Sequence, residues 1–381
     1  MSRLAVYSYR SLRDFVAPLE PLNLVTGPNA SGKSNVYRAL RLLADIAQGR
    51  VITSLAREGG LESTLWAGPE SFSKSHPVQG TVRKHPVSLR LGFSGKEFGY
   101  AIDLGLPTPS SSAFAHDPEI KGEWVWNGEQ LRPAAMLVER KGALVRSRAE
   151  KGDWAIVTQH LASFDSMMTH CADPRNTPET LLLREEMRSW RFYDQFRADL
   201  EAPARLPQIG THTPVMSNDG ADFAAALQTI LEIGDPQALA ESVSDAFPGS
   251  TISVARNGNR FEVEMQQHGL LRPLRAAEFS DGTLRYLLWI ASLLTPRPPS
   301  LMVLNEPETS LHPDLLPALA RLIARTAERS QVIVVSHAPR LIAALEEQRG
   351  CNSIPLEKQM GDTRIAGADR LDRPAWHWPA R

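Results

Sequence analysis

The stretch that decides the fold of this 381-residue chain is Gly27-Pro28-Asn29-Ala30-Ser31-Gly32-Lys33-Ser34. It fills every fixed position of the phosphate-binding loop G-x-x-x-x-G-K-[ST], or P-loop. The two glycines permit backbone dihedrals that bring peptide N–H groups against phosphate oxygens. Lys33 supplies positive charge to the β- and γ-phosphates, and the Ser34 hydroxyl is a ligand for Mg²⁺. All eight residues are therefore candidates for binding a nucleoside triphosphate, ATP, with Mg²⁺.

A short apolar strand and an amphipathic helix flank this loop. Residues 21–26 predict a buried strand that leads into it. From Lys33 to about Gln48 the apolar residues recur with helical spacing, at Val36, Leu40, Leu43 and Ala47. Such a helix points its positive N-terminal end at a bound phosphate. Strand, loop and helix together predict the nucleotide-binding unit of an α/β protein.

Composition excludes several other classes. Hydrophobic residues make up 42% and charged residues 22%, as in ordinary globular proteins, and the net charge of −1 gives no basic field for DNA or an anionic membrane. Cys171 and Cys351 show no disulfide or zinc pattern. The N-terminus lacks the pattern of a signal peptide, and the longest apolar run, 286–294, is too short to span a bilayer. We expect a cytoplasmic protein without a membrane partner.

Three further motifs lie in the C-terminal half. Residues 301–308 form an apolar strand that ends in Asn305 and Glu306, where a buried parallel strand would deliver a carboxylate to polarise a water. Ser280 and Gly282 stand at a predicted helix N-terminus, whose free N–H groups suit a phosphate. Another apolar strand ends in His337. Ligands of open α/β sheets bind at such strand ends.

The order P-loop, Ser280, Glu306, His337 resembles that of the ATP-binding-cassette (ABC) ATPases, and within them the SMC/RecF type. There a long insertion, here residues 35 to 279, separates the P-loop from the signature. The run Pro307-Glu308-Thr309-Ser310-Leu311-His312-Pro313 further resembles bacterial predicted AAA ATPases of the RecF-like and OLD-like groups. The implied fold is α/β: a P-loop NTPase, an ABC ATPase head with an antiparallel β lobe and a small helical insertion.

The resemblance also implies roles for individual residues. Glu306 would be the catalytic base, and His337 the switch histidine that senses the γ-phosphate, with Lys33 as a third catalytic residue. Ser280 and Gly282 would be the signature that reaches the γ-phosphate of a partner subunit's ATP, within a homodimer. Residues 310–312 would form the D-loop at the dimer interface. Phosphates and Mg²⁺ would be held by Gly27, Asn29, Gly32, Lys33 and Ser34.

Some assignments stay open. Arg10 and Ser11 match the "F-R/K-S" motif near the N-terminus of SMC-like heads and are expected near the nucleotide. For the Q-loop glutamine, Gln159 and Gln79 are both candidates. Asn305 stands where a carboxylate is usual. Its amide can still hold a Mg²⁺-bound water, together with Ser34 as a ligand, but brings no charge, so turnover is expected to be slow.

The domain organisation follows from these motifs and from local periodicity. Residues 1–155 would form an N-terminal ATPase lobe with the P-loop and a β subdomain. Residues 156–235 would form a helical insertion, with helices over 178–196 and 222–233. Residues 236–381 would form the C-terminal lobe with the signature, Walker B strand, D-loop and switch histidine. Leu4 to Tyr9 is expected to be an edge strand, and Asn127-Gly128 and Lys141-Gly142 to be hairpin turns.

Three functions are compatible with the sequence. The first is an ATP-hydrolysing ATPase whose ATP-dependent dimerisation drives DNA-associated work in repair, chromosome maintenance or phage defence. Residues 71–96 contain five basic residues and no acidic one, which suits a phosphate backbone or a solvated surface. The second is a nucleotide-gated switch with slow hydrolysis that controls a separately encoded effector. The third, a transporter subunit, is disfavoured by the long insertion and the different signature. Only 44 residues follow His337 and they show no acidic metal cluster, so we do not expect a nuclease centre of the OLD type in this chain.

Overall fold

A computed structural model describes residues 1–70, 84–109, 111–149, 152–368 and 374–381. Lys74, Gln79, Arg83, Glu150 and Lys151 lie outside the described residues. The chain packs into two compact units. Unit one comprises 1–20, 27–189 and 354–381, and unit two comprises 21–26 and 190–353. The domain boundaries after residues 155 and 235 stay predictions.

The described residues form eighteen strands and ten α-helices. The strands are β1 (Arg3–Tyr9), β2 (Leu12–Pro18), β3 (Leu22–Thr26), β4 (Leu89–Ser94), β5 (Phe98–Gly105), β6 (Glu119–Asn127), β7 (Met136–Lys141), β8 (Leu144–Arg148), β9 (Trp154–Thr158), β10 (Arg191–Tyr193), β11 (Gln208–Ile209), β12 (Thr251–Asn257), β13 (Arg260–Gln266), β14 (Leu274–Arg275), β15 (Leu301–Asn305), β16 (Gln331–Val335), β17 (Cys351–Gln359) and β18 (Asp362–Ile365). The helices are α1 (Lys33–Ile46), α2 (Val51–Arg57), α3 (Leu61–Thr64), α4 (Met167–His170), α5 (Pro178–Ser189), α6 (Phe223–Ile233), α7 (Pro236–Ala246), α8 (Asp281–Leu293), α9 (Leu316–Ala327) and α10 (Pro339–Glu346).

Unit one contains an eight-stranded antiparallel sheet in the order β2-β1-β4-β5-β6-β7-β8-β9. The prediction that β1 is an edge strand is wrong, because Val6 pairs with Phe15 on one side and with Leu91 on the other. Lys141 pairs with Leu144 across the predicted β7–β8 turn. Asn127-Gly128, in contrast, is not a two-residue hairpin turn, since a longer connection with a 3-10 turn at Pro133–Ala135 precedes β7.

A buried ion pair fixes the middle of this sheet. Arg140 on β7 and Glu123 on β6 are both fully buried, with Nη1 and Oε2 2.9 Å apart. Arg140 also donates to the carbonyl of Ala162 at 2.8 Å, and Glu123 accepts from the hydroxyl of Tyr100 at 2.7 Å. Because both charges are paired and hydrogen-bonded, loss of either partner would leave a buried charge uncompensated.

Unit two contains a parallel sheet in the order β10-β15-β16-β3. Leu304 is paired with Val334, and Val334 with Leu24, so β3, β15 and β16 end at one edge. Their apolar residues are almost all buried, as expected for parallel strands that are covered on both faces. The predicted helix over 178–196 is too long, because α5 ends at Ser189 and β10 follows it.

Helices of unit two form one large apolar core with this sheet. Leu287 and Ile290 of α8 pack together with Leu319 and Ile323 of α9 and with Leu304 of β15, and all five are buried. The hairpin β12–β13 turns at Gly258-Asn259, since Asn257 pairs with Arg260. In unit one, residues 356–359 of β17 pair with β18 in antiparallel fashion. Among the described residues, no helix combines the length and the apolar character that a bilayer crossing requires.

Candidate nucleotide-binding site

The P-loop follows β3 directly. Its backbone conformation requires the glycines at the two fixed glycine positions of the motif. Gly27 has φ 141° and Gly32 has φ 112°, both in the left-handed region. A Cβ on Gly27 would lie 2.3 Å from the carbonyl oxygen of Leu356, and one on Gly32 would lie 2.1 Å from Thr363 Oγ1. Both conformation and space therefore exclude any other residue at these positions.

Lys33 is the first residue of α1 and is only 7% exposed. Its Nζ donates to the carbonyl oxygens of Gly27 at 2.6 Å and Pro28 at 3.1 Å, so the ammonium is held at the mouth of the loop. Pro28, Asn29, Ala30 and Ser34 are exposed. No side chain of the described residues caps the N-terminus of α1, and the first turn of α1 carries no acidic residue. The helix end is therefore open to an anion.

The Ser31 hydroxyl provides a test of whether this loop fits a ligand. Ser31 is buried, and its Oγ has no hydrogen-bond partner among the described residues. Buried hydroxyl groups are nearly always hydrogen-bonded. A buried hydroxyl group without a partner, next to a helix N-terminus, therefore indicates that an acceptor is bound there in the functional protein. Together with the Lys33 ammonium and the uncapped helix, this donor fits the phosphate chain of a nucleotide.

A relay of side chains connects the loop to the β1–β2 turn and to β18. The Thr363 hydroxyl donates to the Ser31 carbonyl at 2.7 Å, and Ser11 Oγ lies 2.6 Å from Thr363 Oγ1. Asn35 Nδ2 donates to Ser11 Oγ at 2.7 Å. Since Thr363 has one proton and gives it to Ser31, Ser11 must donate to Thr363. The relay brings Ser11 to the P-loop.

Arg10, the neighbour of Ser11, bonds to a different group. Its Nη2 lies 2.6 Å from Glu58 Oε2, and the Tyr9 hydroxyl donates to the same carboxylate. Burial opposes the charge of Arg10, but its hydrogen bonds with Glu58 and Tyr9 outweigh burial, and the pKa of Arg10 is raised. Burial, with the Glu58 charge beside it, raises the pKa of Tyr9 as well. The nucleotide contact predicted for Arg10 stays a prediction.

In unit two, Glu306 and His337 meet at the carboxyl edge of the parallel sheet. Glu306 follows β15 with φ 49°, and its N–H donates to the carbonyl of Val335 at 2.8 Å. Its Oε1 lies 3.3 Å from Nδ1 of His337, and both side chains are about half exposed. An exposed carboxylate beside an imidazole can accept a proton from water as a general base.

Glu308 is a residue that sequence reasoning missed. Its side chain is 6% exposed, and its Oε1 accepts from the hydroxyl of Ser336 at 2.7 Å and from the backbone N–H groups of His337 and Ala338 at 3.1 and 3.2 Å. Its Oε1 is also 3.6 Å from Nδ1 of His337. Glu308 therefore fixes the segment that carries the histidine. Its position two residues after Glu306 was the only signal.

Asp194 is a second missed carboxylate. It follows β10, which pairs with β15, and its Oδ1 accepts from Asn305 Nδ2 at 3.2 Å. A negative charge thus adjoins the amide that replaces the usual acidic residue. Gln195 comes next along the chain. Because residues up to 196 were predicted to be helical, the sequence offered no reason to place either residue at this sheet edge.

The signature segment begins α8. Ser280 is its N-cap, and its Oγ accepts from the N–H of Thr283 at 3.2 Å. Ser280 is exposed, and a Cβ on Gly282 would lie 3.5 Å from the carbonyl oxygen of Ser310. The signature and the predicted D-loop are therefore neighbours within unit two.

Arg205, also missed from the sequence, holds this segment in place. The side chain is 5% exposed and donates to the carbonyl of Phe279 at 2.7 Å and to Asp281 Oδ1 at 2.8 Å. It also donates to the carbonyl of Ala198 at 2.9 Å. The guanidinium N–H groups of Arg205 thus bond to the region before β11 and to the start of α8, and they hold the two together.

These features define the class of P-loop NTPases. They are a loop bounded by two glycines before a helix, and a parallel sheet whose strands are followed by acidic residues and a histidine. The sequence profile of the AAA_21 family, described as "AAA domain, putative AbiEii toxin, Type IV TA system", matches residues 22–343. The chain belongs to this family. Among curated proteins no sequence match was found.

Two solved structures of SMC heads are similar to this chain over most of its length. The SmcHead bound to the C-winged helix domain of ScpA is 13% identical, with a TM-score of 0.52, over 97% of this chain and 98% of that chain. The Smc head with an extended coiled coil from Pyrococcus furiosus is 12% identical, with a TM-score of 0.48, over 96% and 95% of the two chains. The similarity to the SmcHead structure supports the fold of this chain and nothing beyond the fold. The SMC/RecF-like resemblance and the predicted fold class are confirmed.

Proposed function

We propose that this protein binds ATP with Mg²⁺ and hydrolyses it. The observation that carries the proposal is the P-loop itself, with the Lys33 ammonium at its mouth and the buried Ser31 hydroxyl, which has no partner in the described part of the chain. The buried carboxylate–histidine arrangement around Glu308 adds a reason for hydrolysis, since it orders His337 next to the exposed Glu306.

In the proposed reaction the water oxygen bonds to the γ-phosphorus, and the bond to the β,γ-bridging oxygen breaks, giving ADP and phosphate. Glu306 accepts the proton of the water and becomes neutral. His337 stabilises the negative charge of the γ-phosphate. Lys33 offsets negative charge on the β- and γ-phosphates. Bound Mg²⁺ would draw electrons from the phosphate oxygens, and Ser34, with Asn305 through a water, would hold it. Gln195 joins Gln159 and Gln79 as a candidate Q-loop glutamine.

The working unit in this proposal is a homodimer in the ATP state. Ser280 opens an exposed helix N-terminus, and Arg205 fixes its position at the surface of unit two. Each nucleotide would lie between the P-loop of one chain and the Ser280 helix of its partner. Dimer formation and release would then drive DNA-associated work in repair, chromosome maintenance or phage defence.

A second candidate is a nucleotide-gated switch that controls a separately encoded effector. Asn305, bonded to Asp194 where a carboxylate is usual, favours slow hydrolysis. The family description, which mentions a toxin of a Type IV TA system, also favours a role beside a second component.

The test measures ATP binding and the ATPase rate with no DNA and with single-stranded, duplex and open-ended DNA. We expect Lys33→Ala to lose ATP binding, and Glu306→Gln to bind ATP normally but hydrolyse it about 100-fold more slowly. DNA-stimulated turnover supports the first function, whereas slow turnover that ignores DNA supports the switch. Tight ATP binding by Lys33→Ala would disprove the P-loop assignment.

A further inference from the structure

A second candidate site lies on one face of the antiparallel sheet in unit one. The pairs Trp124–Glu139, Glu139–Arg146 and Arg148–Trp154 run across β6, β7, β8 and β9. Directly paired residues of antiparallel strands point to the same face. Two tryptophans and three charged residues, far apart in sequence, therefore share one surface.

The sheet is built to hold tryptophan rings on this face. A Cβ on Gly99 would lie 2.1 Å from the ring of Trp126, and one on Gly122 would lie 2.2 Å from the ring of Trp124. The C-terminal segment adds Trp376, which packs edge-on against Trp126 with ring centroids 5.8 Å apart. Glycines at these strand positions give the rings space that any side chain would fill.

A cleft of about 440 Å³ opens on this surface. Its walls include the rings of Trp124, Trp154 and Trp378 and the charged side chains of Glu139, Lys141 and Arg148. Flat aromatic walls with a few charged groups are typical of a small-ligand pocket, and this volume suits a single ring system with a substituent.

The charges of the cleft favour an anion. Among the described residues of the cleft wall, Glu139 pairs with Arg146, which offsets its charge and leaves Lys141 and Arg148 as the positive groups. The Arg148 guanidinium lies 5.4 Å from the ring centroid of Trp154, and its Nη1 donates to the carbonyl of Ala134 at 2.7 Å. Its Nε, however, is buried and has no partner among the described residues. An unpartnered buried cationic N–H is a donor in need of an acceptor.

We propose that this cleft binds an unpaired nucleotide of a nucleic-acid strand. The base stacks on Trp154 and Trp378, and the backbone phosphate lies at Lys141 and Arg148. Aromatic stacking with cationic groups along the backbone is how single strands are bound without sequence preference. The inference adds a nucleic-acid site to the proposed ATPase and does not depend on ATP hydrolysis. No single stretch of the sequence reveals this cluster, because the tryptophans come from three separate segments.

The test is fluorescence anisotropy of labelled oligo(dT) and oligo(U) with the full chain. Trp154→Ala should weaken binding about tenfold, the loss of one base–aromatic stack, while Trp154→Phe should keep most of the affinity. Arg148→Ala should weaken binding and lower the slope of log K against log salt by about 0.7, the loss of one phosphate contact. Preference for oligo(dT) or oligo(U) tells which nucleic acid is bound.

Two matched controls lie outside the cleft. Phe114→Ala removes an aromatic ring that is 74% exposed, and Arg188→Ala removes an exposed cation of α5. Neither variant should change oligonucleotide binding.

The same series of variants in a Lys33→Ala background separates this inference from the ATPase proposal, because oligonucleotide binding should survive there. Wild-type affinity in both Trp154→Ala and Arg148→Ala would overturn the inference. So would an equal affinity for duplex of the same length, or no binding of any oligonucleotide.

Discussion

The Thr363 hydroxyl donates a 2.7 Å hydrogen bond to the Ser31 carbonyl inside the P-loop, although the two residues are 332 positions apart. We predict that Thr363→Val weakens ATP binding, because the Ser31 carbonyl and the Ser11 hydroxyl both lose their buried partner. The free energy of unfolding should fall by about 1–3 kcal/mol. Thr363→Ser keeps the hydroxyl and should keep the ATP affinity. Isothermal titration calorimetry and urea denaturation measure the two effects.

Thr326→Val is the matched control, since Thr326 is a buried threonine of unit two whose Oγ1 donates to the carbonyl of Leu322 at 2.9 Å. That variant should lose stability without losing ATP affinity. Equal ATP affinity of Thr363→Val and the wild type would show that the relay does not position the loop.

The second prediction concerns the buried carboxylate of Glu308. Glu308→Gln keeps the size and an acceptor oxygen but removes the charge 3.6 Å from Nδ1 of His337. We expect turnover to fall about tenfold or more with unchanged ATP affinity. Glu308→Ala also leaves the N–H groups of His337 and Ala338 without their acceptor and should cost about 1–3 kcal/mol of stability. Steady-state ATPase kinetics and thermal unfolding are the measurements.

Glu347→Gln, at an exposed position after α10, serves as the control and should leave both quantities unchanged. If Glu308→Gln turned over ATP at the wild-type rate, Glu308 would be a structural residue and nothing more.

Local patterns predicted those parts of the fold that depend on neighbours in sequence. The P-loop, α1 and the β7–β8 hairpin follow from residue types within a few positions of one another. The edges of the antiparallel sheet could not be predicted in this way, because β1 receives its second neighbour, β4, from a distant segment. Strand β10 is only three residues long and follows α5 almost at once, so helical periodicity masked it.

The same distinction applies to the candidate site. Gly27, Lys33, Glu306 and His337 belong to motifs with fixed local spacing. The side chains that position them come from elsewhere, as with Thr363 at the P-loop, and their partners are set by packing. A single sequence contains no signal for such pairs, because a buried threonine or arginine looks like any other until its neighbours are known.

The third prediction uses the contact between Asn305 and Asp194. Asn305→Asp places two carboxylates where an amide now donates to Asp194 at 3.2 Å. Without Mg²⁺ the repulsion should lower the free energy of unfolding by about 1–2 kcal/mol. With ATP and Mg²⁺ the added charge should lower the Mg²⁺ concentration that the ATPase requires, or it should raise turnover. Thermal unfolding in EDTA and in Mg²⁺–ATP, with ATPase rates over a Mg²⁺ titration, tests both.

The double variant Asp194→Asn with Asn305→Asp is the control for repulsion and should recover stability in EDTA. An Asn305→Asp protein with unchanged Mg²⁺ dependence and rate would show that another carboxylate, such as Glu306, already serves the metal.

The last prediction is that Glu306→Gln traps an ATP-bound homodimer. The amide keeps the side-chain geometry but cannot accept the water's proton, so the γ-phosphate that joins the two chains persists. Adding Ser280→Arg should undo the trap, because bulk and charge then stand at the exposed N-terminus of α8. Ser280 is also the N-cap, and loss of its bond to the N–H of Thr283 costs about 1 kcal/mol by itself. Ser280→Ala in the Glu306→Gln background controls for the lost cap, because it adds neither bulk nor charge, and it should weaken the dimer less than Ser280→Arg does. Light scattering with ATP and Mg²⁺ measures the mass. A Glu306→Gln protein that stays monomeric at saturating ATP, or a dimer that ignores Ser280→Arg, would rule out the shared nucleotide site.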